Sequence, residues 1–233
     1  MKIHNFFVEE KLAGKNEAVV ADAVLVHQWL KVLRFHIGER VNLFDNSGQE
    51  YLAEIVSLDR KVANLKLISS KLNVNCPKTN VTLLFSLIKK DKLEWLIEKC
   101  TEIGVSHFQP IISERSEVKG FNLERAQKII KEACEQSGRA ILPTVSEPIS
   151  LTNALKSVPQ PAFAFDSSGS SFSSTTNYSL PTTNFFIGPE GGFTPNEIEM
   201  FKTAGVKIYS LGSQTLRAET AAVAVSTLLL LGK

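Results

Sequence analysis

Very little in this sequence can hold a metal or build a disulfide framework. Its 233 residues include three cysteines, Cys76, Cys100 and Cys134, far apart and odd in number. They form no C-x-x-C pair and have no histidine at metal-ligand spacing, which points to reduced thiols in a cytoplasmic protein. The four histidines are scattered as well, so no metal is expected. Long apolar runs are missing. The N-terminal stretch has none that suits a signal peptide, and the apolar stretch 221–231 is too short to cross a bilayer, so no membrane is expected. The sequence contains neither G-x-x-x-x-G-K-[ST] nor G-x-G-x-x-G, and a nucleotide hydrolase would therefore lack both its P-loop lysine and a metal cluster.

What is present is ordinary globular material, 43% hydrophobic and 21% charged, enough for one large or two small domains. The net charge of +2 does not by itself call for nucleic acid. Its distribution is uneven: Lys and Arg equal Asp and Glu at nine each in residues 1–70, exceed them by twelve to nine in 71–139, and fall below them at five to six in 140–233. The basic excess in the middle third hints at a polyanionic partner.

Residues 1–70 read mainly as β-structure. Two alternating stretches, 41–45 and 49–58, flank the hairpin signal Asn46-Ser47-Gly48, and 61–69 alternates likewise. A short helix over 24–33, stopping before Gly38, interrupts the strands, and together these suggest a small barrel. A linker is expected over 69–80. Beyond it, strands alternate with helices, which implies βαβ units and a mostly parallel sheet. The expected strands are 81–87, 105–112, 162–165, 185–187 and 206–210. Between them lie a helix with Leu93, Leu96, Ile97, Cys100 and Ile103 on one face, and another capped by Asn122 and ending at Gly138. Residues 167–177, rich in Ser and Thr, read as a flexible loop.

The second half is organised around Phe185-Phe186-Ile187-Gly188-Pro189-Glu190-Gly191-Gly192-Phe193-Thr194-Pro195. A buried strand empties into a glycine-rich loop whose backbone lets a ligand approach closely. A helix then begins with Thr194 as N-cap, Pro195 at its first position and Glu197 closing a capping box, while Phe193 and Ile198 suit a hydrophobic staple. A second loop, Leu211-Gly212-Ser213-Gln214-Thr215-Leu216-Arg217-Ala218-Glu219-Thr220, follows the last strand. Two such loops at strand ends suggest one shared crevice. The helix after it, 218–231, is apolar on every side and so should be buried all round, against the sheet and against another subunit or a threaded loop. Lys89, Lys90 and Lys92 in a first helical turn suit either a solvated face or a phosphate contact. Arg115 and Arg139, at element ends, are better placed for anions, with a surface salt bridge as the competing role.

These two C-terminal segments resemble the signatures of the RsmE family, ribosomal RNA small subunit methyltransferases. The resemblance extends to His27-Gln28-Trp29-Leu30-Lys31-Val32-Leu33-Arg34, Lys99-Cys100-Thr101-Glu102-Ile103-Gly104-Val105, Ser113-Glu114-Arg115-Ser116 and Glu135-Gln136-Ser137-Gly138-Arg139, nearly the whole chain. Many relatives carry an arginine where this chain has Asn5. The resemblance implies an α/β protein: a PUA-like β-barrel over 1–70 that binds RNA, then a SPOUT methyltransferase domain over 75–233 with a C-terminal trefoil knot. It implies a cytoplasmic homodimer that uses S-adenosylmethionine to methylate N3 of a uridine in 16S ribosomal RNA of the small ribosomal subunit. The cofactor would lie on Ile187, Gly188, Pro189, Glu190, Gly191, Gly192, Leu211, Gly212, Leu216, Arg217, Glu219 and Thr220. RNA would meet Arg34, Lys89, Lys90, Arg115 and Arg139.

Uracil N3 becomes a good nucleophile only on losing its proton, which spreads negative charge over O2 and O4. Arg217 is the candidate to stabilise that charge; its competing role is a structural clamp on Glu190 or Glu219. Glu190 is the second catalytic candidate, as base or proton path, whereas Glu219 suits the first turn of a helix. No residue in the sequence stands out as the general base. The alternative reading is an RNA-binding protein of the same fold without methyl transfer.

Overall fold

The computed structural model describes residues 3–77, 79–116, 120–172 and 182–231. The chain forms two compact units: Met1–Cys76 with Cys134–Leu142, and Pro77–Ala133 with Pro143–Lys233.

In the first unit, β1 (His4–Phe7), β2 (Glu17–Val20), β3 (Arg40–Phe44), β4 (Gln49–Leu58) and β5 (Ala63–Leu72) form a mixed sheet in the order β1-β3-β4-β5-β2. Its one parallel pair is β1 with β3. Alternation along the strands turns Ala18, Val20, Val41, Leu43, Ala53 and Ile55 into the core. Asn46 and Gly48 make the hairpin turn with φ of 60° and 84°. The linker expected from residue 69 begins later, because β5 continues to Leu72.

The helix α1 (Ala23–His27) starts at Asp22, whose carboxylate accepts from Val24 N and Leu25 N. It widens into a π-helical turn, Gln28–Leu33, and stops at Arg34 in the left-handed region, φ 56°, so the helical stretch ends at Leu33 as expected. The wide turn seats the fully buried Trp29 ring 5.0 Å from that of Phe6. Residues 134–142, expected in the second domain, join this unit by specific hydrogen bonds. Asn73 Nδ2 donates to Gly138 O at 3.0 Å, and Leu142 N to Asn46 Oδ1 at 2.8 Å. Asn5, the departure from the family pattern, donates its side-chain amide to Glu135 O at 2.7 Å.

The second unit is a parallel sheet of β6 (Asn80–Ser86), β7 (His107–Ile112), β8 (Thr144–Val145), β9 (Ile149–Ser150), β10 (Ala162–Ser171), β11 (Thr182–Ile187) and β12 (Lys207–Ser210). Its order is β12-β10-β11-β6-β7-β8, with β9 also on β7. The central strands β6 and β11 are buried along most of their length and carry the apolar runs Leu83 to Phe85 and Phe185 to Ile187, as parallel strands covered on both faces do. The helices are α2 (Lys90–Ile103), α3 (Leu123–Ser137), α4 (Leu151–Ser157), α5 (Pro195–Thr203) and α6 (Ala218–Leu230). One core cluster joins Leu84, Ile111, Ala164 and Phe186 of the sheet to Phe193 and Phe201, whose rings lie 4.8 Å apart.

One expectation changes here. The strand read as 162–165 extends to Ser171, so residues 167–171 are not a loop; residues 173–177 of that loop lie outside the described residues. Phe165 and Ser170 both face Tyr209, and the chain bulges between them. Gly169 makes this possible: a Cβ there would come within 2.6 Å of the Tyr209 backbone. Within the single chain the helix α6 buries one side and leaves the other partly exposed, the side for which another subunit or a threaded loop is expected. Ala222, Val225 and Leu229 are buried, but Leu228 and Leu231 are 41% and 62% exposed.

Candidate functional site

The strands β11 and β12 are not neighbours; β10 lies between them and pairs with both. Phe165 stands opposite Ile187, the last residue of β11, on one side and Tyr209, next to the end of β12, on the other, so both neighbours end level with the bulge in β10. The loops 188–192 and 211–216 therefore rise on either side of Asp166. Together they enclose a cleft of about 240 Å³. This is the crevice at carboxyl strand ends that the sequence suggested, with β10 as an additional wall.

The cleft is lined by Ile187, Gly188, Pro189, Glu190, Gly191, Gly192, Leu211, Gly212 and Leu216, nine of the twelve expected cofactor contacts. Arg217, Glu219 and Thr220 lie outside the lining. Gln214, Thr215 and Ala218 of the same expected loop 211–220 line it too, whereas sequence reading missed Phe165, Asp166, Ser167, Ser210 and Ala221. Asp166 had a legible signal, an acid at a strand end two loops away from the glycine motif, but nothing local tied it to them. Its Oδ1 accepts from Ser168 N at 2.9 Å and Ser168 Oγ at 2.7 Å.

Backbone geometry explains the glycines. Gly192 has φ of +67°, and a Cβ there would stand 3.6 Å from Asp166 Oδ2. A Cβ on Gly188 would press on the Phe193 ring at 3.2 Å. The helix α5 starts as its sequence dictates. Thr194 Oγ1 accepts from Glu197 N at 3.3 Å, and Glu197 Oε2 accepts from Thr194 N at 2.9 Å. Phe193 and the partly buried Ile198 pack in one cluster around that cap.

Arg217 is the N-cap of α6, uses no side-chain cap and is exposed. The clamp considered for it does not form: among the described residues, Glu219 faces Lys92, with Oε1 3.9 Å from Nζ, and Glu190 is exposed at the cleft. Glu219 is 7% exposed in the first turn of α6, where the helix dipole favours an acid.

The structure separates the expected RNA contacts. Arg34, Lys89 and Lys90 are exposed, Lys90 lying 3.9 Å from Glu94. Arg115 is exposed and donates from Nη1 to Gly191 O at 2.6 Å. Arg139 is 3% exposed, and burial lowers its pKa from the ordinary value, so its guanidinium cannot meet a phosphate backbone in this conformation. Among the described residues, no group of three or more His, Cys, Asp or Glu is placed to hold a metal, and no helix is long and apolar enough to cross a membrane.

Comparison with known proteins agrees with this architecture. A family model described as RNA methyltransferase domain matches residues 75–230, and one described as RNA methyltransferase PUA domain matches residues 30–68. The chain is 31% identical to ribosomal RNA small subunit methyltransferase E of Rickettsia conorii over 238 residues, covering 100% of this chain and 97% of that protein. It is 33% identical to the protein of the same name from Bacillus subtilis over 214 residues, covering 84% and 83%. A crystal structure of the Neisseria gonorrhoeae enzyme of that name, bound to S-adenosylmethionine, superposes with a TM-score of 0.90 at 30% identity, covering 97% of this chain and 96% of that one.

Proposed function

The chain belongs to the ribosomal RNA small subunit methyltransferase E family, and from that membership we propose that it methylates N3 of a uridine in 16S ribosomal RNA with S-adenosylmethionine. The observation that carries this is the convergence of both glycine loops and the start of the bulge in β10, Phe165 to Ser167, on one cleft.

The cleft fits the cofactor chemically. Ile187, Leu211, Leu216 and Ala218 offer apolar walls for a flat base, and the glycine backbones offer close polar contacts. The Asp166 carboxylate can accept from hydroxyl or ammonium groups. When bound, S-adenosylmethionine supplies an electrophilic methyl group on sulfur. The protein holds the target uridine against the cleft so that N3 faces that group. Arg217, exposed between cleft-lining Leu216 and Ala218, stabilises the negative charge on uracil O2 and O4. Glu190, exposed on the cleft wall, is the acid placed to receive or relay the N3 proton.

The finer architecture belongs to the same proposal. The first domain, residues 1–70 with the returning segment 134–142, closes as a PUA-like barrel and carries RNA contacts. The second, residues 75–233 without that returning segment, is a SPOUT domain with a trefoil knot. The mixed and parallel sheets support this reading. Arg34, Lys89, Lys90 and Arg115 meet the RNA of the small subunit. The protein is a cytoplasmic homodimer in which the exposed side of α6, with Leu228 and Leu231, meets the partner. Mass spectrometry of ribosomal RNA from a deletion strain tests the activity. Loss of one methyl from one uridine is expected; an unchanged profile would favour the non-catalytic RNA-binding reading.

A further inference from the structure

The turn at the end of β7 reaches two strands across the sheet to the glycine loop that follows β11, because β6 lies between those strands. Ser113 Oγ donates to Ser86 Oγ of β6 at 2.8 Å, and Ser116 N to Ser113 O at 3.1 Å, so the turn is anchored on both sides. From it, two consecutive residues grip the segment 191–197. Glu114 N donates to Glu197 Oε1 at 2.8 Å, and Thr194 Oγ1 donates to Glu114 Oε2 at 2.8 Å. Arg115 Nη1 donates to Gly191 O at 2.6 Å. A capping box needs only one oxygen of Glu197; here the second bonds to the turn, and Glu197 as a residue is 5% exposed.

We propose that Arg115 is a positioning residue for the cofactor loop, holding the peptide plane between Gly191 and Gly192 in one orientation. The proposal rests on reading the cleft as the S-adenosylmethionine site. A peptide unit is planar, so fixing Gly191 O also fixes Gly192 N–H. That amide donates to Pro189 O at 2.9 Å and closes the turn at the cleft wall. With glycine on both sides, the plane could otherwise rotate at little steric cost. The charge-assisted bond from Arg115 removes that freedom, and the anchored β7 turn keeps the guanidinium in place. A loop already ordered binds its ligand more tightly than one ordered on binding.

The experiment measures S-adenosylmethionine affinity by calorimetry, with KM for cofactor and for small subunits, in the full-length protein. Arg115→Gln is expected to raise the cofactor Kd and KM about five- to tenfold, the worth of one charged hydrogen bond at a partly exposed site. Arg115→Lys, which keeps a donor, should recover part of that loss. Unchanged cofactor affinity with a raised KM for small subunits would overturn the proposal and make Arg115 an RNA contact alone. If Arg115→Gln does not fold, amide hydrogen exchange at Gly192 in Arg115→Lys decides: faster exchange than wild type supports positioning, and equal exchange overturns it. A wild-type protein that binds no S-adenosylmethionine would refute the functional reading instead, and the exchange measurement would still test the grip on Gly191.

Discussion

Lys92 Nζ lies 3.9 Å from Glu219 Oε1, tying the first turn of α2 to the first turn of α6. The contact gives Glu219 a structural partner and leaves Arg217, two residues earlier, exposed. Glu219→Gln should therefore lower stability by about 1 kcal/mol, since one partner is partly solvated. Methyl transfer should stay within about threefold of wild type, too small an effect for a general base. Denaturant unfolding alongside single-turnover rates checks this; a rate loss of hundreds of fold in a stable variant would make Glu219 catalytic.

Arg217→Lys keeps the charge and loses the planar fork. Because the side chain is exposed and outside the cleft lining, folding and cofactor affinity should hardly change. Methyl transfer should slow by about 10²–10³, as for loss of one preorganised donor. Single-turnover methylation measured beside cofactor affinity separates the two effects, and near-normal turnover would remove Arg217 from the reaction.

Gly192 sits at φ +67° beside Asp166. Gly192→Val should be strained in the ligand-free protein and should weaken S-adenosylmethionine binding at least tenfold by narrowing the cleft. The cofactor-induced rise in Tm is the readout, since ligand that binds only the native state raises it by mass action. An undiminished rise would place the cofactor elsewhere.

Burial pushes the thiols of Cys100 and Cys134 up to about 12. An unfolded thiol ionises near pH 8.5. Folded pKa values above unfolded ones mean that the associated stability is intact below about pH 8.5 and is lost as pH rises toward 12. The Cys100→Ala variant should therefore lose less stability than wild type between pH 8 and 10, measured by urea unfolding. In the same range, iodoacetamide should label Cys76, which is half-buried, well before the other two. Equal labelling of all three cysteines in the native protein would contradict this.

Local punctuation in the sequence specifies structure where the forces are local. Thr194, Pro195 and Glu197 start α5 because capping acts within four residues. Asn46 and Gly48 turn the first hairpin for the same reason. The missed features depend on partners far along the chain. Asp166 enters the cleft only because β10 lies between β11 and β12, an order that no local pattern encodes. Residues 167–171 looked like a loop by composition, yet the backbone of β12 pairs with Ser170 and Ser171 and overrides that preference. Arg139 resembled a free cation past a helix end; it is buried, which sequence position alone did not reveal. For Arg115 the place at an element end suggests an anion contact, but its bond to a carbonyl 76 positions away has no local signal.

The central claim is methyl transfer to uracil N3, and purified protein with methyl-labelled S-adenosylmethionine tests it most directly. Small ribosomal subunits from a deletion strain serve as substrate, and the product nucleoside is identified by mass spectrometry. Stoichiometric N3-methyluridine at a single position, abolished when the wild-type cofactor cleft is blocked by S-adenosylhomocysteine, is the expected result. Tight binding of the subunits with no label transferred, or label on a different atom or base, would contradict it.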